Sequence, residues 1–505
     1  MLTIVDNFLN RITMYRLVLY YLAGLLLVAS VFGLFGVLPL NPADLAFSTL
    51  IILGVCWVTN ALFAKTFAAD PNVESAYITA LILALIISPV AYTNATGIGF
   101  LVFASAWAMA SKYMFAIGKK HIFNPAAFGV ALAMLVLNQS ATWWVGGNLA
   151  LMPFVVIGGL LVVRKIRRAD LIAAFAVVSL ATVVATSPSS GALTPIAQTL
   201  LHSSFFFLAL VMLTEPLTMP PSRLLRICYA AIVGFLFAPS IHIGSLYSTP
   251  ELALLVGNVF VYIVSPKGRY MLTLIGKNKI ADATYEFVFS PDRPMAFKPG
   301  QYLEWTLGHK FSDNRGNRRF FTVASSPTEN TVRLGIKFYA PESSFKRALW
   351  NMRANEIVSA SHIAGDFVLP RDKKKKLVFI AGGIGVTPFR SMAQYLIDTK
   401  DPRPVTLLYS NNTAAEIAYK DVFDRAGREI GMKTVYALTN EPSSVPGAYR
   451  GFIDAALIAR EIPDCKERMF YLSGPHGMVT AFEKILHDMG VSRFNIKTDY
   501  FPGFA

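Results

Sequence analysis

The chain has 505 residues, of which 54% are hydrophobic, and its mean hydropathy is +0.48. This composition excludes a soluble two-domain enzyme, and the length allows several structural units. The chain has a net charge of +15, but its basic residues do not form a stripe interleaved with aromatic residues. The negatively charged partner of these residues is therefore predicted to be membrane lipid and not nucleic acid. Cys56, Cys228 and Cys465 lie far apart, which excludes a disulfide framework and cysteine-ligated zinc or iron–sulfur centres, so no metal site is predicted.

The first half of the chain contains ten apolar stretches that predict membrane-spanning helices. A helix needs about 20 apolar residues to cross the hydrocarbon layer, so the shorter stretches predict broken or tilted helices. Residues 1–265 are therefore predicted to form a polytopic α-helical membrane domain. The ten stretches are 17–38, 45–66, 74–90, 97–117, 124–138, 148–163, 169–187, 197–214, 223–239 and 250–265.

The positive charges of this half predict its orientation. All twelve of its Lys and Arg residues fall at the amino terminus or near a connection that follows the second, fourth, sixth or eighth stretch. Short cytoplasmic loops retain Lys and Arg, whereas translocated loops lack them. We therefore expect a multi-pass protein of the cell membrane, with both termini and the C-terminal half in the cytoplasm.

Two polar breaks interrupt the apolar pattern, at residues 119–129 and 213–221. Pro, Asn, Thr and Glu at membrane depth leave backbone groups unpaired, which is tolerated where protein or a ligand satisfies them. Such breaks in corresponding positions of two halves indicate a binding site between repeats. The alternative interpretation is ordinary helix ends, with Pro in a first turn or after a last one.

The second half of the chain carries a strand-like motif that begins at Arg319. An arginine at the start of a strand can bind a diphosphate through two hydrogen bonds, and Phe321, two residues later, can stack on a ring. The hydroxyl of Thr322 can then reach a ring nitrogen. The motif predicts a flavin site in a β-barrel, although an exposed Arg and a buried Phe-Phe pair occur in many barrels.

Two later segments, 377–388 and 470–478, each combine an apolar strand, a glycine turn and the start of a helix. Backbone amides of such a turn and the positive end of the helix dipole can bind a pyrophosphate. In an open parallel sheet, ligands bind at the carboxyl ends of the strands. We therefore expect the two turns to share one nicotinamide nucleotide.

These three motifs together resemble the ferredoxin:NADP reductase superfamily over residues 268–505. The resemblance implies an antiparallel FAD-binding β-barrel at 268–372 and an α/β parallel-sheet NAD(P)H domain at 373–505. It assigns catalytic roles to Thr322 and Ser473. It implies FAD contacts from Arg319, Phe321, Thr322 and Ser344, and nicotinamide nucleotide contacts from Gly383, Gly385, Thr387, Gly474, Pro475 and Met478.

Two features depart from that family's pattern. Ser473 stands where many members carry Cys, which predicts slower hydride transfer without its loss. The tail continues through residues 499–505, which leaves open whether Phe501 or Phe504 shields the flavin face.

The membrane half resembles the component shared by the sodium-translocating NADH:quinone reductase (its B subunit) and the Rnf complex (its D subunit). The resemblance rests on the segments 111–113, 124–126 and 214–218 and implies ten spans in two related halves with FMN or riboflavin in the membrane. It implies flavin contacts from Lys112, Asn124 and Thr214. Members attach FMN to an outer threonine, and Thr142 is the candidate here, with a non-covalent flavin as the alternative.

The predicted function is a flavin-dependent NAD(P)H oxidoreductase that passes electrons from cytoplasmic NADH through FAD and a membrane flavin to a quinone or an extracytoplasmic acceptor. NADH is preferred because the second nucleotide-domain strand ends in neutral residues, 410–413, although Lys420 or Arg425 on the next helix would erase this preference by reaching back to a phosphate. One alternative is a haem-type transmembrane reductase, which needs histidine pairs that the first half lacks. Another is an ion transporter with a redox-sensing reductase domain.

Overall fold

The computed structural model describes residues 12–67, 73–117, 120–187, 191–265, 269–309, 317–340, 342–440 and 447–499, together with Val5, Phe8, Leu9 and Asp313. The chain divides into two compact units, Met1–Gly268 and Arg269–Ala505. The first unit is helical, and the second contains two six-stranded sheets. Phe501 lies outside the described residues, and its role at the flavin stays a prediction.

The first unit is built of apolar helices whose starts are marked by polar caps and prolines. Asn41, Asn94, Asn124 and Thr249 each accept a first-turn N–H, which satisfies a donor that has no partner within the helix. The helices are α1 (Met14–Leu34), α2 (Pro42–Thr66), α3 (Val73–Ile86), α4 (Ala95–Met114), α5 (Pro125–Leu137), α6 (Met152–Ile166), α7 (Ala169–Ala185), α8 (Leu193–His202), α9 (Phe205–Met212), α10 (Arg223–Leu236) and α11 (Pro250–Val264).

The predicted count of ten membrane spans is not confirmed. Each predicted stretch overlaps a helix in the described residues, but only α1 and α2 are long and apolar enough to cross a membrane alone. A third candidate arises if α8 and α9, which meet at 66°, form one broken span. Most other apolar helices have 10–17 residues, fewer than the ~20 that the hydrocarbon layer requires. Hydropathy along the sequence does not separate such short helices from full spans.

The helices of the first unit pack in a pattern that occurs twice. In the first half, α1 packs on α3, α2 on α3 and α4, and α4 on α5. In the second half, α6 packs on α9, α7 on α8, α9 and α10, and α10 on α11. The α8–α9 pair thus takes the place that α3 has in the first half.

The first sheet of the second unit is antiparallel. Its strands are β1 (Tyr270–Ala281), β2 (Thr284–Pro291), β3 (Tyr302–Thr306), β4 (Arg318–Thr322), β5 (Val332–Lys337) and β6 (Ile357–Ala364), in the order β4-β3-β6-β1-β2-β5. Its edges meet where the Ala324 N–H donates to the Arg333 carbonyl at 2.9 Å, as expected for a barrel. Helix α12 (Ser344–Asn351) follows β5.

The second sheet is wholly parallel and is flanked by helices, as the sequence predicted. Strand β7 is buried at every position, which explains its continuous apolar run. The strand order is β10-β9-β8-β7-β11-β12. The elements are β7 (Leu377–Gly382), α13 (Thr387–Asp398), β8 (Val405–Asn411), α14 (Lys420–Ile430), β9 (Lys433–Leu438), β10 (Tyr449–Arg450), α15 (Ala455–Glu461), β11 (Met469–Ser473), α16 (His476–Asp488) and β12 (Ile496–Asp499).

Buried polar contacts join the two sheets through α13. Arg390 donates to the Ala324 carbonyl at 3.2 Å and forms an ion pair with Glu329. The next residue, Ser391, donates its hydroxyl to the Ser325 carbonyl at 2.6 Å. The segment that follows β4 is therefore attached to the helix that follows the first glycine turn.

Candidate functional site

Arg319 and the amino terminus of α12 converge on one anionic group. Arg319 is only 4% exposed, and its Nη2 lies 3.3 Å from Oδ1 of Asp313. The other oxygen of Asp313 accepts the Ser344 N–H at 3.0 Å. The Asp313 carboxylate thus occupies the position that an anionic diphosphate oxygen takes at an arginine and a helix terminus. These residues therefore fit the diphosphate of the predicted FAD.

Ser344 and Phe321 lie beside the same arginine. The Ser344 hydroxyl accepts the Asp313 N–H at 2.9 Å and lies 2.9 Å from Nε2 of His309. The Phe345 ring lies 5.3 Å from the Arg319 guanidinium and 5.8 Å from the half-buried Phe321 ring. The structure thus brings the predicted arginine, serine and aromatic residue together.

Thr322 and Ser473 meet at a residue that sequence reasoning missed. The carboxyl of Asp499 lies within hydrogen-bonding reach of the Thr322 hydroxyl, and Asp499 pairs with Ser473 in the parallel register of β12 and β11. Burial raises the pKa of Asp499 from 3.8 to about 7, although the Thr322 bond opposes this rise. The sequence signal for this residue is its place in the C-terminal tail, where only an aromatic residue was predicted to act.

We expect Asp499→Asn to flatten the pH dependence of flavin reduction by NADH. In the native chain the carboxyl changes its charge near pH 7 beside Thr322, whereas the amide keeps hydrogen bonding but does not titrate. Stopped-flow rates between about pH 5 and about pH 9 should lose an inflection near neutrality. Asp488→Asn, on the exposed face of α16, should retain the native profile, and an unchanged inflection in Asp499→Asn would contradict the assignment.

The Asp499 carboxyl should also make the stability of the folded protein depend on pH. Because the pKa of Asp499 is higher in the folded state, its contribution to stability is fully present below pH 3.8 and is lost as the pH rises through about 7. In Asp499→Asn this decline should be absent.

The two glycine turns touch each other at the carboxyl ends of β7 and β11. A Cβ at Gly385 would lie 2.6 Å from the Ser473 carbonyl oxygen and from the Gly474 Cα, so a side chain there would force the turns apart. Gly383 has a φ of +53°, which glycine adopts without strain. The structure thus brings the two predicted turns into one site.

The remaining predicted nucleotide residues border this contact. Thr387 begins α13, and its hydroxyl donates to the Ile384 carbonyl at 3.2 Å. Pro475 caps α16, and Met478 packs where a Cβ on Gly382 or Gly474 would collide with it. Two helix starts therefore face the same strand ends, which suits a pyrophosphate.

The segment after β8 contains an acidic residue that sequence reasoning missed. Asn412 donates to both carboxylate oxygens of Glu416 at 3.3 Å. Lys420 instead pairs with Asp424, and Arg425 pairs with Glu429 at 3.8 Å. Arg425 also donates to Gln394 of α13, so both cations that would erase the predicted NADH preference have partners in the nucleotide domain.

The two polar breaks of the first unit meet at Glu215. Its Oε2 accepts from the Asn124 amide at 2.8 Å and from the Thr218 hydroxyl at 3.2 Å, while His121 lies 3.4 Å from Oε1. The Asn124 backbone N–H also donates to Asn258 at 2.7 Å. Asn124 therefore caps α5, as expected for an ordinary helix end. It also links the two breaks, as expected for a site between repeats.

Asn124 and Glu215 also border a cavity between α1, α3 and α5. Its other walls include Ser75 and the apolar residues Val18 and Ile78. Lys112 lies just behind this wall, since its Nζ donates to the Ser75 carbonyl and hydroxyl at 3.0 Å. The hydroxyl of Thr214 instead donates to its own helix, at the Val211 carbonyl.

Thr142 is not brought together with this cavity. Its hydroxyl lies 2.9 Å from that of Ser88, and its N–H donates to the Ile86 carbonyl at the end of α3. Ser75 lies at the start of α3, and eleven residues of helix correspond to about 16 Å. The predicted flavin contacts Asn124 and Thr142 therefore belong to two separate places.

Comparisons with known proteins bear on the second unit. Residues 379–484 match the oxidoreductase NAD-binding domain family. The flavohemoprotein of Bacillus thuringiensis subsp. konkukian is 25% identical over 241 residues, which are 45% of this chain and 60% of that protein. The F subunit of the Na(+)-translocating NADH-quinone reductase of Methylococcus capsulatus is 31% identical over 201 residues, which are 37% of this chain and 49% of that relative.

A third relative is more fully covered. NADH-cytochrome b5 reductase 2 of Gallus gallus is 27% identical over 249 residues, which are 43% of this chain and 81% of that enzyme. The chain spans less than two thirds of the flavohemoprotein and of the quinone reductase component.

The fold, the site and these relatives define the C-terminal half as a ferredoxin reductase-like module with FAD- and NAD-binding domains. Its homologues are flavin-dependent NAD(P)H oxidoreductases, so the predicted class of enzyme is confirmed. Within this module, residues 379–484 are the part that matches the oxidoreductase NAD-binding domain family.

Proposed function

We propose that the protein is a membrane-bound oxidoreductase that takes electrons from cytoplasmic NADH and delivers them through FAD and a second, membrane-held flavin to a quinone or an extracytoplasmic acceptor. The observation that carries the proposal is the meeting of Thr322, Asp499 and Ser473. These residues come from the flavin motif, the last described strand and the second nucleotide turn. One point in the module thus combines residues suited to both cofactors.

The chain's own residues divide the work at this site. Arg319 and Ser344 would hold the FAD diphosphate, and Phe321 would pack against a ring. Bound FAD supplies hydride acceptance from a nicotinamide and release of electrons one at a time. Thr322 would donate a hydrogen bond at the flavin, Asp499 would hold that hydroxyl in place, and Ser473 would lie beside the nicotinamide.

The glycine turns would hold the nucleotide itself. Gly383, Gly385 and Gly474 leave backbone amides uncovered by side chains, and the starts of α13 and α16 direct positive dipole ends to the same place. Pro475, Met478 and Thr387 would complete the wall. The neutral residues 410–413 support a preference for NADH.

The membrane unit would hold the second flavin in the cavity beside Asn124. FMN and riboflavin share a pyrimidine edge with one N–H donor between two carbonyl acceptors. The Glu215 carboxylate can accept from that donor, and the Asn124 amide can donate to a carbonyl. Lys112 would support the wall through Ser75, and Thr214 would fix the turn before Glu215. Thr142, at the other end of α3, would be a separate attachment point for FMN.

A membrane location is supported by the surface of the first unit. Leu34, Leu50, Val177, Leu224 and Ile263 are each at least two-thirds exposed. Apolar side chains of this kind, spread over many helices, are unfavourable in water and favourable in lipid. We propose a multi-pass unit in which short helices span a locally thin or tilted layer beside α1 and α2.

Sealed vesicles test the activity and its sidedness together. A charged dinucleotide does not cross a bilayer, so inside-out vesicles that contain the protein should oxidise NADH with an added quinone. Right-side-out vesicles should do so only after detergent is added. Under anaerobic conditions, NADH should bleach FAD and a second flavin in the native chain but FAD alone in Asn124→Ala. Oxidation by intact right-side-out vesicles would overturn the topology, and one flavin per native chain would overturn the electron path.

A further inference from the structure

A cation from the antiparallel sheet contacts the segment that follows β8, where the adenosine ribose of a bound nucleotide is expected. Lys337, in β5, places its Nζ 2.8 Å from Oε2 of Glu416, and the two side chains are 13% and 18% exposed. The same Glu416 carboxylate accepts from the Asn412 amide at 3.3 Å. Lys337, Glu416 and Asn412 therefore form a continuous polar chain from one sheet to the other.

Two further contacts, one on each side of Glu416, join this segment to the antiparallel sheet. The Asp282 N–H donates to the Ala415 carbonyl at 2.8 Å. The Tyr419 hydroxyl packs against Gly335, where an added Cβ would lie 2.5 Å from it. Because these contacts do not involve the Lys337 and Glu416 side chains, either side chain can be changed while the segment keeps its position.

Glu416 is ionised at neutral pH. Burial opposes ionisation, but hydrogen bonds from Lys337 and Asn412 hold the pKa of this carboxyl below its ordinary value. A free ribose hydroxyl can donate to such a carboxylate, whereas a 2′-phosphate is repelled by it. The ammonium of Lys337 lies directly behind the carboxylate, within reach of the same region.

We propose that Lys337 is a latent receptor for the 2′-phosphate of NADPH and that Glu416 masks it. The native chain would then select NADH because the carboxylate both binds the ribose hydroxyl and neutralises a cation that would otherwise bind a phosphate there. This inference rests on the proposed use of NADH by the module. It makes cofactor choice depend on a residue of the FAD-binding sheet.

The test is a double-mutant cycle on the full-length protein, with kcat/KM measured for NADH and NADPH. Glu416→Gln should raise kcat/KM for NADPH and lower the NADH-to-NADPH ratio by about tenfold or more, because a charge-assisted contact to phosphate becomes available. Adding Lys337→Met to Glu416→Gln should abolish that gain. Lys337→Met alone should raise the ratio, because an unneutralised carboxylate repels phosphate more strongly.

The gain in Glu416→Gln should also weaken at high salt, because salt screens the attraction between Lys337 and the phosphate of a dissolved nucleotide. Lys279→Met, which removes an exposed lysine paired with Asp282 on the same sheet, should leave the ratio unchanged. Equal ratios in Glu416→Gln and the double variant would overturn the role of Lys337. Equal losses with both nucleotides in all variants would show a purely structural contact and would also overturn it. A native preference for NADPH would instead refute the proposed use of NADH.

Discussion

Arg390→Ala is expected to destabilise the C-terminal unit by roughly 3–5 kcal/mol, the usual effect of removing one partner of a buried ion pair. Arg390 is 5% exposed, and its Nη2 lies 3.0 Å from Oε1 of Glu329. The variant leaves the partly buried Glu329 carboxylate with fewer partners. Arg333, whose Nε is 3.1 Å from Glu329, remains and places the expected loss near the lower limit.

Urea denaturation of the detergent-solubilised chain, followed by flavin release, measures this loss. Arg460→Ala is the matched control, because Arg460 is 61% exposed and its pair with Glu461 should contribute less than about 1 kcal/mol. Burial opposes ionisation of Glu329, but bonds from Arg390 hold its pKa below the ordinary 4.5. The stabilisation is therefore present above pH 4.5 and disappears as the pH falls through the folded-state pKa. Equal stability of Arg390→Ala and the native chain would contradict this account.

Arg319→Ala should weaken FAD binding by roughly ten- to hundredfold. The lost contact is a charge-assisted, two-pronged hydrogen bond to a diphosphate, which contributes ~1.5–3 kcal/mol. Arg319→Lys keeps the charge but loses the fork, so its affinity should be intermediate. Titration of the FAD-depleted protein, read by flavin fluorescence, gives the dissociation constants.

The neighbouring arginine provides the control for this experiment. Arg318 pairs with Glu304 at 3.7 Å, and its side chain points to the opposite face of β4. Arg318→Ala should therefore bind FAD with nearly native affinity. A similar loss in both variants would indicate damage to β4, and native affinity in Arg319→Ala would refute the diphosphate contact.

The sequence predicted those parts of the site whose chemistry is local. The geometry of a glycine turn between a strand and a helix depends mainly on its own residues. Because such turns lie at the carboxyl ends of parallel strands, Gly385 and Gly474 were predicted as neighbours. Arg319, Phe321 and Thr322 were recognised for the same reason, because strand alternation fixes their relative directions. The structure brings each of these groups together.

Residues that act through register or packing were missed. Asp499 reaches Thr322 through the pairing of β12 with β11, and no local pattern marks such a carboxylate. The role of Glu416 depends on its ion pair with Lys337, which lies 79 positions earlier in the chain. Hydropathy also could not separate short helices from full spans, since a buried short helix and a true span have similar composition.

The attachment of α13 to the FAD-binding sheet has a consequence for how the enzyme moves. Contacts at Ala324, Ser325 and Glu329 fix this helix, so the two domains have little freedom to hinge apart. We therefore expect nucleotide exchange to rely on local displacement of the turn at 473–478. Product release would be governed by opening of that short segment, and slow amide exchange should persist across α13 throughout turnover.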